Sequence, residues 1–188
     1  MFHLVFEFAV HQALQSKRVR VCPRTPRWTH KGGILAAALE LKVPPIVLGP
    51  AAALMMWPVS VMTPHVAIPV WIRVAIAMAL SALAVLLVVL AYAAFGREHV
   101  AKNSAHPEQT VALVTSGVFA HTRNPMYLSL LLMLLALALV LSSPLALVLV
   151  VGFVLFVHRF QIVPEERALR ERFGSRYTDY LSRVRRWV

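Results

Sequence analysis

VAIAMALSALAVLLVVLAYAAF, residues 74–95, is the stretch on which the fold turns. It holds no charged residue. At about 1.5 Å per residue, a helix of that length crosses a hydrocarbon core of ~30 Å. Trp71 and Arg73 stand at one end as interfacial anchors, and Gly96-Arg97-Glu98 is expected to end the span at the other. The competing reading is a core helix of a water-soluble protein. A chain of 188 residues has too few other elements to cover such helices, and its residues are 59% hydrophobic and only 14% charged. The sequence therefore predicts an all-α integral membrane protein.

Outward from this stretch lie three further apolar runs, at residues 44–62, 126–141 and 144–160. The first opens with Pro44-Pro45, tolerated where the first N–H groups of a helix lack partners anyway, and it contains Gly49 and Pro50 as weakening residues. Ser142-Ser143-Pro144 reads as a tight turn with a proline at the first helical position, so the last two runs form a helical hairpin. Each arm is near the lower length limit for spanning, which leaves a re-entrant hairpin as the alternative. Over residues 164–183, Ala168, Leu169, Phe173, Tyr177 and Tyr180 recur at helical spacing between arginines. That pattern predicts an interfacial amphipathic helix interrupted at Gly174, serving either as a lid or as a surface anchor. Residues 1–33 are expected to be a basic extension outside a membrane domain of residues 34–188.

The formal net charge is +11, from 19 Lys and Arg against 8 Asp and Glu. The cations sit beside the apolar runs, so positive-inside topology and anionic headgroups account for them and nucleic acid is not expected as a partner. Four crossings with both termini on the cytoplasmic side fit the asymmetry, since only Arg73 falls on the opposite side. The apolar start, residues 1–10, is followed rather than preceded by Lys17-Arg18-Val19-Arg20, the wrong order for a signal peptide. Cys22 is the only cysteine, which excludes an internal disulfide and a cysteine-based metal site, and the eight histidines show no ligand spacing. No metal is expected. Seven glycines with no G-x-G-x-x-G exclude the soluble dinucleotide-type fold.

Candidate chemistry lies in two places that the hairpin topology brings to one face of the membrane. One is the strip 113–127; the other is Gln161-Ile162-Val163-Pro164-Glu165-Glu166. Arg123 can pair bidentately with a carboxylate, while Glu165 and Glu166 can accept hydrogen bonds from an ammonium or from hydroxyls. Plainer readings compete: Pro164-Glu165-Glu166 as a helix start with acids at the positive dipole end, and Arg123 as a snorkelling interfacial arginine. His121 reads as structural or solvent-facing. His158, inside the last arm, needs a partner.

The ordered set is more specific than any of its parts. Leu113-Val114-Thr115-Ser116-Gly117, then Thr122-Arg123-Asn124-Pro125-Met126-Tyr127-Leu128, an apolar hairpin, Pro164-Glu165-Glu166, Phe173-Gly174, Tyr177, Tyr180 and Arg183-Val184-Arg185-Arg186-Trp187 resemble the isoprenylcysteine carboxyl methyltransferase-like and phospholipid methyltransferase group. Leu39-Glu40-Leu41-Lys42-Val43-Pro44-Pro45 is similar to the start of short bacterial members, so the resemblance covers residues 39–188. It implies S-adenosyl-L-methionine as cofactor and a bacterial inner-membrane location with a cytoplasmic active site. It maps cofactor contacts onto Leu113, Val114, Gly117, Arg123, Asn124, Pro125, Tyr127, Glu165 and Glu166, with Arg123 and Glu166 as the catalytic pair. Asn124 stands where eukaryotic relatives usually carry His; it keeps a donor and an acceptor but does not titrate near neutral pH.

A sulfonium donor is already activated, so the protein's expected task is to hold donor and acceptor in line and to exclude water. A carboxylate acceptor needs no general base; an amine or phenol needs one, with Glu166 or His121 nearest. The expected acceptor is a hydrophobic small molecule or a lipid-like molecule, its identity open, as is the oligomeric state. The alternative is a non-catalytic membrane protein (a transporter subunit, scaffold or lipid-binding protein) or a lapsed member of the family. Transport would favour charge buried inside the spans, and the first three show none.

Overall fold

In the computed structural model, residues 45–103 and 113–188 are described. They form helices α1 (Pro45–Val61), α2 (Val70–Asn103), α3 (Pro125–Leu141), α4 (Pro144–Val157), α5 (Val163–Phe173) and α6 (Ser175–Arg183), with a 3₁₀ turn at Gly117–Ala120 and a π turn at His158–Ile162. No strand occurs among the described residues. The basic extension 1–33 and its cations lie outside them. Prolines set the starts of α3 and α4, each carrying one in its first two positions, where the missing N–H costs nothing.

The helix of the second span runs on to Asn103, although its apolar stretch ends at Arg97 as the sequence leads one to expect. Arg, Glu, Ala and Lys are good helix formers, and one interior glycine costs only about 1 kcal/mol. One expectation is corrected: the return arm of the hairpin does not stop before Pro164. Residues Pro144–Phe173 form one continuous rod. Pro164 lacks an N–H, and its ring would clash with the carbonyl four residues back. The rod widens into the π turn just before it, where the Val163 N–H donates to the His158 carbonyl five residues back.

Among the described residues, two helices, Val70–Arg97 and Pro144–Phe173, are long and apolar enough to cross a membrane; α1 and α3 are shorter apolar helices. α3 is the central element and packs against α1, α2 and α4. Small residues line the buried face of α2: Ala77, Ala84, Ala91 and Ala94 are buried, while Val85, Leu86, Val89 and Leu90 are exposed. Water would favour the reverse, whereas lipid tolerates large apolar side chains outside and lets backbones approach over alanine. Gly49 does the same for α1. A Cβ there would lie 2.9 Å from Leu130 Cδ2 of α3.

The end of the bundle holding the hairpin turn is tied by polar contacts. The turn closes on Ser142 in the left-handed region, its N–H donating to the Ala138 and Leu139 carbonyls. Ser142 Oγ donates to the Val66 carbonyl and the Val66 N–H to the Ser142 carbonyl, both at 2.9 Å. Thr63 Oγ1 lies 2.6 Å from Ser143 Oγ, and Arg73 donates to the Val140 carbonyl. With this end fixed, α3 and the α4–α5 rod must both emerge at the other end, where the candidate polar residues are.

Candidate functional site at the emerging ends of the hairpin

The start of α3 and the start of α5 meet as the topology requires. Arg123 Nη1 lies 3.2 Å from Glu166 Oε1, with side chains only 13% and 10% exposed. One turn into α3, the Tyr127 hydroxyl donates to Glu165 Oε2 at 3.5 Å. Arg123, Tyr127, Glu165 and Glu166 therefore form one cluster although about forty residues separate the two pairs in sequence. The plain reading of Glu165-Glu166 also holds in part, since both lie in the first turn of α5. That position favours acids but does not by itself supply the arginines.

A third partner enters from residues 184–188. Arg186 Nε and Nη2 donate to Glu166 Oε1 and Oε2 at 2.9 and 2.6 Å, a bidentate fork. The backbone of the same segment is laid along residues 122–124. The Arg123 N–H donates to the Arg185 carbonyl at 3.1 Å, while Asn124 Nδ2 and Thr122 Oγ1 both donate to the Arg186 carbonyl. Asn124, buried and just ahead of Pro125, thus spends its side chain on this segment and not on capping α3. Trp187 packs against the bundle core. His158 finds its partner here too, with Arg186 Nη1 3.5 Å from His158 Nε2.

The strip 113–121 sits on the α2 side of this cluster. Gly117 has φ +62°, and a Cβ there would lie 3.4 Å from the Ala94 Cβ, so both its conformation and its closeness to α2 suit glycine. Phe119 stacks edge-on against Phe95 at 5.2 Å, and its carbonyl accepts from the Tyr180 hydroxyl at 2.7 Å. Val114 and Val118 are buried, and Leu113 is half-buried. His121 is exposed. Of the residues expected at the site, Arg123, Tyr127, Glu165 and Glu166 make up the cluster, Asn124 and Pro125 follow Arg123 directly in the chain, and Gly117 lies against Ala94 of α2.

α6 closes the arrangement. It follows α5 after a break at Gly174, φ +56°, and it buries Tyr177 and Tyr180. Burial pushes the Tyr180 hydroxyl up to about 12, against the opposing pull of Arg123. Tyr177 is raised as well, by burial first and then by the Glu166 charge. The Arg186 guanidinium is held in its charged form by the hydrogen bonds to Glu166. Both tyrosines are thus neutral at ordinary pH, and Tyr180 is a donor.

An apolar groove of about 460 Å³ lies between α1, α2 and α3, lined by Gly49 and Ala53 of α1, Ala77 and Ser81 of α2, and Leu130 to Val140 of α3. Its lining starts at Leu130, one turn beyond Tyr127, and runs away from the polar cluster toward Val140 at the hairpin-turn end.

Sequence reasoning named Arg123, Glu165 and Glu166 but gave Arg186 no role of its own beyond a place in the motif and in the basic tail. No periodicity marks a residue whose place is fixed by carbonyls accepting from another loop.

A 63-residue stretch is 49% identical to a protein of Haemophilus influenzae described as uncharacterized, covering 34% of this chain and all of that protein. No solved structure matches the chain. The model of the family described as phospholipid methyltransferase matches residues 72–176, a range that takes in α2, the hairpin, Arg123, Tyr127 and both glutamates. Since that range is more than half of the 188 residues, the chain belongs to the phospholipid methyltransferase family.

Proposed function

We propose that the protein is a membrane-embedded methyltransferase that uses S-adenosyl-L-methionine and modifies a hydrophobic or lipid-like acceptor. The observation that carries this reading is the cluster of Arg123, Tyr127, Glu165 and Glu166 at one end of the apolar bundle, inside the family-matched range. Its donor set suits the cofactor. Two neighbouring carboxylates can take an ammonium and hydroxyls, and a guanidinium can take a carboxylate. Arg123 Nε is buried with no hydrogen-bond partner, a donor that a ligand's carboxylate could use.

When bound, the cofactor supplies an activated methyl on a sulfonium. The chain's own part is to bind and to orient. Arg123 and Glu166 would hold the charged end of the ligand, and Glu165, steadied by Tyr127, would accept from it. The strip 113–117 and the buried tyrosines of α6 would wall the site from water, which matters because positive charge disperses as the methyl moves. A carboxylate acceptor then needs no base; an amine acceptor needs one, and of the two candidates His121 is exposed while Glu166 is held by Arg123 and Arg186.

The largely apolar lining of the groove that starts at Leu130, one turn beyond Tyr127, supports an acceptor with an apolar part. We further read α1, α2, α3 and α4 as four crossings, with the site on the cytoplasmic face of a bacterial inner membrane, as the distribution of Lys and Arg favours. The test is transfer of a labelled methyl group from S-adenosylmethionine to lipid extract by the detergent-purified protein. Labelled lipid that disappears in Arg123→Ala supports the reading. Absence of transfer to any hydrophobic acceptor, from a protein that also fails to bind the cofactor, would move it to a non-catalytic membrane role.

A further inference from the structure

Glu166 is fully engaged. Its Oε1 accepts from Arg186 Nε at 2.9 Å and faces Arg123 Nη1 at 3.2 Å, and its Oε2 accepts from Arg186 Nη2 at 2.6 Å. A carboxylate used in this way has little left for a cationic ligand, so one guanidinium must yield when the ligand enters. The two arginines are not equally able to do so. Arg123 stands at the mouth of α3 with its side chain 13% exposed and its own N–H tied to the Arg185 carbonyl. The Arg186 side chain is 31% exposed.

The backbone at Arg186 is held independently of its side chain. Asn124 and Thr122 hold its carbonyl, and Trp187 beside it is seated on the core. The guanidinium can therefore turn outward about its own torsions while the segment stays in place. Its remaining contact, His158 Nε2 at 3.5 Å, is long and weak. Charge points the same way: adding a cation beside Arg123 and Arg186 puts three positive groups against Glu165 and Glu166, and the departure of Arg186 restores the balance.

We propose that Arg186 is a built-in competitor for the cofactor's positive charge, holding Glu166 until the ligand displaces its guanidinium and thereby setting cofactor affinity. The inference rests on the reading of this cluster as the cofactor site. A competitor opposes a ligand in proportion to the ligand's charge. S-adenosylmethionine carries a net positive charge through its sulfonium, and S-adenosylhomocysteine, a thioether, does not.

The experiment is isothermal titration of the detergent-purified full chain, as parent, Arg186→Gln and Arg186→Lys, with each of the two ligands, together with thermal melting of the ligand-free proteins. Arg186→Gln should melt lower, because it loses an ion pair, yet bind S-adenosylmethionine about tenfold tighter, as expected when a charge-assisted pair no longer has to be broken. The gain for S-adenosylhomocysteine should be smaller, and Arg186→Lys, which keeps the charge but loses the two-point fork, should fall between the parent and Arg186→Gln. A purely structural arginine would lower melting and affinity together. Weaker binding of both ligands by Arg186→Gln, from a parent that binds them, would overturn the competitor role and leave the cofactor site standing. Absence of binding by all three forms would overturn the cofactor site and this inference with it.

Discussion

Arg186 and Glu166, twenty positions apart in the chain, meet in a two-point fork at 2.9 and 2.6 Å, with Arg123 on the same carboxylate at 3.2 Å. This triad locks three separate pieces of chain together: the start of α3, the start of α5 and the segment 184–188. The site and the stability of this end of the bundle therefore depend on the same charges.

Glu166→Gln should expose that dependence. It leaves two guanidiniums, one of them mostly buried, facing a neutral amide. Hydrogen bonds to charged groups are worth roughly 1.5–3 kcal/mol, so a loss of about 2 kcal/mol in unfolding free energy is expected. Denaturation in detergent measures it, and an unchanged midpoint would count against the triad.

Tyr127→Phe should be milder for the fold and specific to the site. The lost hydroxyl donates only to Glu165, over a long 3.5 Å contact. Binding of S-adenosylhomocysteine should weaken about threefold to tenfold, the range of one modest hydrogen bond, with melting nearly unchanged. Equal binding by parent and variant would remove Tyr127 from the site.

Alkaline pH should loosen α6 first. The Tyr180 hydroxyl is raised from 10.0 to about 12, because burial disfavours the phenolate and only the neutral group can donate to the Phe119 carbonyl. A pKa raised in the folded state contributes stability that is complete below the unfolded value and is lost as pH rises through the folded one. Melting temperature should therefore hold steady up to about pH 10 and fall between there and pH 12. Tyr177 is raised in the same direction and deepens the fall. Tyr180→Phe should reduce the pH dependence while lowering stability at neutral pH.

Two of the glycines inside the helices, Gly49 and Gly96, should respond in opposite ways. Gly96 has open space around it inside α2, so Gly96→Ala should stabilise by up to about 1 kcal/mol. Gly49→Ala pushes a Cβ to 2.9 Å from the tip of Leu130, and although that tip can shift, about 1 kcal/mol of overpacking should cancel the helical gain. Thermal melting of both variants decides; stabilisation by Gly49→Ala equal to that by Gly96→Ala would deny the close approach of α1 to α3.

How far the sequence could be read follows from the physics of each element. Long apolar runs, Ser142-Ser143-Pro144 and the prolines at helix starts are local signals, and they located α1, α3, the hairpin turn and the meeting of Arg123 with Glu166. The end of the second apolar span is legible at Gly96-Arg97, but the further helical turns to Asn103 are not, because hydropathy reports where the apolar stretch ends and helicity continues on propensity alone. The continuity across Pro164 was missed because a π turn is a response of the backbone to a clash and has no composition signal. Arg186 escaped for a third reason: its position depends on Asn124 and Thr122, more than sixty residues away, holding its carbonyl.

The central claim is that the Arg123, Tyr127, Glu165 and Glu166 cluster is a cofactor site. Isothermal titration of the detergent-purified protein with S-adenosylhomocysteine, alongside Arg123→Ala and Glu165→Ala, tests it most directly. The account predicts saturable binding by the parent and loss of binding in both variants while they remain helical. A folded parent that takes up no ligand, or variants that bind as the parent does, would contradict it.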